Sequence, residues 1–187
     1  MKYLLLCFLF FNSTTDFAQS NQNNSYQEID PISAKLQKFI GKEISQFSAI
    51  SDNGIIYTND SLKGKVTLVN LWFEACAPCV AEFATINNLF TKFKDNKNFQ
   101  ILAFTFEKPE AIKTIKEKYH LRYELISIPR EQCYILNFKT GFPTNMIIDQ
   151  SSKITYIRCG GPNDRDHAEK YFNTTFIPEI NKLLGDK

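Results

Sequence analysis

Cys76 and Cys79 stand two residues apart in the stretch NLWFEACAPCVAEF, directly after a run of apolar residues. Thiols at this spacing suit three chemistries: metal ligation, a structural staple, or reversible dithiol–disulfide exchange. Cys76 falls where a strand pattern gives way to a helical one. Unpaired backbone N–H groups and the helix dipole favour a thiolate at such a point. Cys79, one turn further in, is expected to be more shielded. That asymmetry suits exchange, in which an exposed sulfur attacks a partner's disulfide and an inner one resolves the mixed disulfide. Pro78 belongs in the first helical turn, where its missing N–H costs little.

The other two chemistries fare worse. Zinc needs two further ligands, and Cys133, Cys159, His120 and His167 repeat no tight spacing. A bridge inside one helical turn closes a very short loop and stabilises little. No metal and no cofactor is therefore expected. His120 at a helix end and His167 at the start of the tail helix, neither with an evident partner, are read as structural. Cys133 and Cys159 are left open between a second bridge and two free thiols that pack as small hydrophobes.

The elements that must position the pair follow from periodicity. KVTLVNLW, from Lys65, is a continuous apolar strand of the kind buried on both faces. Val80, Phe83, Ile86, Leu89, Phe90 and Phe93 then recur at helical spacing. FQILAFTF is a second buried strand, PEAIKTIKEKYH a second helix opened by proline, and YELISI a short edge strand. Cys133 lies in a helical REQCYILNF, and TNMIID with KITYIRC forms a hairpin about the turn cluster Asp149 to Ser152. Asn53-Gly54 marks another hairpin ahead of the first core strand. A helical tail runs from Asp166 to Leu184, and Pro178 should break or kink it. The order predicts a mixed sheet covered on both faces.

The ends and the charge bound the setting. The chain has 187 residues, 43% of them hydrophobic, which suits one domain with a real core. Its net charge of +2, with both signs interspersed, gives no reason to invoke nucleic acid or a membrane surface. Residues 1–20, with Lys2, an apolar run from Tyr3 to Phe11 and small residues at Ala18 and Ser20, read as a secretory signal peptide. The run is too short to span a bilayer, which takes roughly 20 apolar residues. Leu6 is too large to precede a lipidated Cys7. Residues 21–39 form a polar linker and a short amphipathic helix with Ile32, Leu36, Phe39 and Ile40 at helical spacing, and the domain proper runs from 40 to 187. Removal of the leader takes Cys7 away and leaves four cysteines in an oxidising compartment, expected to be the periplasm.

KGKVTLVNLWFEACAPCVAEF followed by GFPTNMIID resembles the exported TlpA/ResA-like thiol–disulfide oxidoreductases, over roughly Ile40 to Leu184. The resemblance implies an α/β thioredoxin-like fold: a central mixed β-sheet flanked by helices, with an N-terminal β-hairpin extension. It also implies a cis peptide bond before Pro143, which packs against the dithiol and leaves the Phe142 backbone free to pair with a bound substrate strand. Glu82 occupies the family's CxxE position and would accept the Cys79 proton. Asn70 stands near where thioredoxin has a buried acid and cannot titrate, so Glu82 is the better base. Glu74 is read as a solvated loop charge, and Trp72 as packing under the loop. Ala75 departs from the family, which usually has Trp immediately before the first cysteine, and this alters the partner-docking surface.

The function implied is reduction of disulfides in protein partners by a monomer, with electrons from a membrane thiol carrier; cytochrome c maturation is one family role. A thiol peroxidase is the first alternative, opposed by Phe73 standing where Thr or Ser would be required. A copper- or haem-handling binding module is the second, opposed by two rather than three residues between the cysteines.

Overall fold

The computed structural model describes residues 31–185; the expected signal peptide and the polar residues behind it lie outside the described residues. Helix α1 (Pro31–Gln37) leads into the hairpin β1 (Ser48–Ile50) and β2 (Ile56–Thr58), and a short 3-10 turn spans Asn59–Leu62. Then follow β3 (Val66–Trp72), α2 (Ala77–Phe93), β4 (Phe99–Thr105), α3 (Pro109–Lys118), β5 (Glu124–Ser127) and α4 (Arg130–Leu136). The chain closes with β6 (Thr144–Ile148), β7 (Ile154–Cys159), α5 (Arg165–Tyr171) and α6 (Ile177–Leu184).

Five strands form one sheet in the order β5-β4-β3-β6-β7. β3 lies at its centre, parallel to β4 and antiparallel to β6. All seven of its residues are buried, as a strand covered on both faces requires. Alternation divides them between two cores. Val66, Leu68 and Trp72 join Phe83 and Ile86 of α2, Ile112 and Ile115 of α3, and Phe172 and Phe176 of the tail. Val69 and Leu71 join Leu36 of α1, Phe47, Leu62, and Cys133 and Leu136 of α4. The expected hairpin is present, and Gly54 makes its turn at φ +78°, where glycine carries no Cβ penalty.

Two expectations need correction. Pro178 does not break the tail. A π-turn at Phe172–Phe176 joins α5 to α6, and the helical backbone continues through it. Pro178 then falls in the first turn of α6, directly after the π-turn that accommodates a residue without an N–H. In α1, Leu36 is fully buried but Ile32 is 41% exposed, and Ile40, 38% exposed, lies beyond the end of the helix at Gln37, so the helix is shorter and docks by a narrower stripe than its spacing predicted.

Leu36 should therefore carry most of the anchoring of α1. Leu36→Ala is expected to lower stability by about 3 kcal/mol, within the usual range for a buried leucine. Urea unfolding of the oxidised protein measures it. A loss below about 1 kcal/mol would mean that α1 does not pack as described.

Candidate functional site: a dithiol beside a cis-proline and a buried carboxyl

β3 ends at Trp72, and four residues later the chain turns into α2 with Cys76 as the N-cap. The Cys76 sulfur accepts from the Cys79 N–H at 3.3 Å, and Pro78 occupies the first turn as expected. Cys76 and Cys79 are joined in a disulfide, with Cα atoms 5.2 Å apart. The expected asymmetry holds in direction only: Cys76 is 6% exposed and Cys79 1%. Cys76 is therefore nearly covered, because the N-cap sits in the same apolar cluster as Trp72 and Phe83.

The Phe142–Pro143 peptide bond is cis. Pro143 immediately precedes β6, which lies beside β3, so the turn stands at the sheet end from which the loop to Cys76 leaves. Among the described residues the Phe142 N–H and C=O make no backbone hydrogen bond. Its ring is the hub of an aromatic group, with centroids 5.3 Å from Phe73, 5.6 Å from Phe106 and 5.4 Å from Tyr134. The Arg130 guanidinium lies 3.8 Å from the Phe106 centroid. Ala75 is exposed.

Glu82 is buried, at 1% exposure. Its Oε2 accepts from Asn145 Nδ2 at 2.9 Å, and Asn145 Oδ1 in turn accepts from Asn70 Nδ2 at 2.7 Å. Asn70 and Asn145 are directly opposed in the β3–β6 register, which is why their amides meet. Burial raises the Glu82 pKa to about 7, against the opposing pull of the Asn145 hydrogen bond and the Arg158 charge. A carboxyl titrating near neutrality beside a dithiol is equipped to take and return a proton.

A family model described as AhpC/TSA matches residues 40–157. The chain belongs to the AhpC/TSA family. Among curated relatives, the thiol-disulfide oxidoreductase ResA of Bacillus cereus is 30% identical over 148 residues, covering 78% of this chain and 83% of that protein. A thiol:disulfide interchange protein DsbE homolog of Paracoccus denitrificans is 29% identical over 150 residues, covering 78% of each. A solved thiol-disulfide oxidoreductase from Bacteroides fragilis gives a TM-score of 0.60 at 21% identity, over 74% of this chain and 99% of that one. That last likeness carries the thioredoxin-like fold alone. The chain is thus an AhpC/TSA-family enzyme of the thiol–disulfide oxidoreductase class.

Other sequence candidates stand apart from this AhpC/TSA site or only support it. Cys133 and Cys159 are free thiols, and burial pushes the Cys133 pKa up to about 12. Glu74 is held by Lys118 at 2.8 Å, so the loop charge has a partner. His167, read as unpartnered, pairs through Nδ1 with Asp164 at 2.8 Å. Trp72 is fully buried, edge-on to Phe83, as expected of packing under the loop. No group of three His, Cys, Asp or Glu is placed to hold a metal ion among the described residues. Asn145 and Gly161 escaped the sequence reading. Gly161 packs so closely that a Cβ there would lie 2.7 Å from Glu82 Oε1 and 3.4 Å from the Pro143 ring. Only the strand register could have signalled the first, and nothing in the sequence signals the second.

Glu82 should leave its mark on stability. Its pKa is raised from 4.5 in the unfolded chain to about 7 in the folded one. Below pH 4.5 both states are protonated and the carboxyl costs nothing. As pH climbs towards 7 only the unfolded chain ionises, so stability falls, and the loss is complete above 7. It should reach about 3 kcal/mol. Urea unfolding of the oxidised protein at pH 4.5 and pH 8 should show the stability of the wild type falling relative to that of Glu82→Gln by this amount. Equal pH dependence in the two proteins would refute the assignment.

Proposed function

We propose that this enzyme is exported and reduces disulfides in protein partners, with Cys76 as nucleophile, Cys79 as resolving thiol and Glu82 as proton acceptor. The supporting observation is the Cys76–Cys79 disulfide at the N-terminus of α2, one turn ahead of a buried Glu82. Export rests on the leader-like residues 1–20. No helix among the described residues is long and apolar enough to cross a membrane.

In the reduced enzyme the Cys76 thiolate attacks one sulfur of the partner's disulfide, and the other leaves as a thiolate. Glu82 takes the Cys79 proton. The Cys79 thiolate then attacks Cys76 Sγ, forming the intramolecular disulfide and releasing the partner's second thiolate. Two electrons pass from the enzyme dithiol to the partner, and Glu82 gives its proton to solvent or to a released thiolate. The cycle closes when a membrane thiol carrier reduces the enzyme again. Cis-Pro143 and the unpaired backbone of Phe142 would hold an extended partner segment by strand-like hydrogen bonds. Ala75, exposed beside Cys76, leaves that approach open. We place the enzyme as a monomer, and maturation of cytochrome c is one role within this reading.

A peroxidase would need a hydroxyl side chain where Phe73 stands, and that ring is stacked on Phe106 instead.

A redox titration of the mature protein with thiol trapping should show Cys76 and Cys79 interconverting reversibly at a potential near or below about −250 mV. A value near −120 mV would reverse the proposed direction. Cys79→Ser should accumulate a mixed disulfide on Cys76, and Cys76→Ser should form none. A pair that resists reduction throughout would end the reading.

A further inference from the structure

The two oxygens of the Glu82 carboxyl are not equivalent. Oε2 is held by Asn145 Nδ2 at 2.9 Å, whereas Oε1 has no hydrogen-bond partner among the described residues. The Asn145 amide is engaged at its other end as well. Its Oδ1 accepts from Asn70 Nδ2 at 2.7 Å, so only its NH2 end faces the carboxyl. On the other side stands Gly161, where an added Cβ would come within 2.7 Å of Oε1. Real Cβ atoms do not approach that closely, so the backbone of a half-buried glycine covers the unpaired oxygen, alongside the cis-proline ring.

We propose that Asn145, clamped by Asn70, is a positioning residue that occupies Oε2 of Glu82 and so presents Oε1, beneath Gly161, as the oxygen that takes the Cys79 proton. The inference rests on the reading of Glu82 as proton acceptor. An oxygen already accepting from an amide offers less to a proton than one with both lone pairs bare, and the difference is largest where water is excluded. In the step itself the Cys79 S–H bond breaks as the Oε1–H bond forms. The thiolate so released supplies the electron pair that forms the Cys76–Cys79 bond and expels the partner's thiolate.

The groups that bear on the carboxyl are Asn145 from β6, Arg158 from β7 and Tyr123 just ahead of β5. Asn145 and Arg158 favour the carboxylate, while burial favours the acid. Loss of the Asn145 amide therefore removes a donor that stabilises the charged form, and Glu82 should stay protonated to higher pH. A residue with only a packing role would not move this titration.

The resolution step can be isolated with the reduced full-length mature protein and a symmetrical nitrobenzoate disulfide as probe. Release of the second aryl thiolate reports attack by Cys79, and its rate is followed against pH. The wild type should show an acid limb that Glu82→Gln lacks. Asn145→Ala should move that limb up by about one pH unit, slowing resolution about tenfold below it and leaving the rate well above it unchanged. Asn70→Ala should move it the same way by less, and Asn145→Ala should add nothing to Glu82→Gln. If Glu82→Gln keeps the limb, Glu82 is not the acceptor and the inference falls with that reading. If only Glu82→Gln removes it, and Asn145→Ala leaves it in place or slows the rate equally at every pH, the positioning role alone is refuted. Should Asn145→Ala fail to fold, an unmoved limb in Asn70→Ala overturns the proposal.

Discussion

A strand buried on both faces and paired on both edges governs the rest of this structure. β3 has no solvent side, so its register with β4 and β6 is fixed by two apolar cores at once. Because β4 is parallel to it and β6 antiparallel, the end of β3 meets the beginning of β6. That one arrangement sets the loop that carries Cys76 beside the cis-Pro143 turn, although the two are far apart in sequence. It also places Asn70 opposite Asn145, so the polar line to Glu82 is a consequence of strand register.

This polar line runs through an interior that is otherwise apolar. Glu82 lies on a helix whose remaining inward residues, such as Phe83, Ile86 and Leu89, form the core. A buried carboxyl with one oxygen unpaired works against stability, by about the free energy that shifts its titration. Sites that do chemistry commonly carry such conflict with the surrounding fold. The Asn145 donor moderates the conflict without removing it, and the carboxyl remains able to change protonation near neutral pH.

What was legible in the sequence was the part that depends on local pattern. Period and run length marked β3 and α2, Asn53-Gly54 marked the first hairpin, and the change of pattern at Cys76 marked the start of a helix. Cis-Pro143 was readable only through resemblance, since X-Pro bonds are cis in about 5–6% of cases. The rest depends on residues brought together by topology. Asn70 and Asn145 are 75 positions apart, and neither type announces a partner. The close approach of Gly161 to Glu82 has no local signature either. The tail shows the same limit from the other side: Pro178 is a strong local breaker, yet a π-turn just before it lets the backbone stay helical. Burial of Cys76 was missed because an N-cap's exposure is set by what packs across it.

Trp72 is the chain's single tryptophan, fully buried against Phe83 in the cluster that holds Cys76 and Cys79. All indole emission from this protein therefore originates at one place, four residues before Cys76. Tryptophan fluorescence excited beyond the tyrosine absorption therefore reads the packing around the dithiol in the unlabelled enzyme.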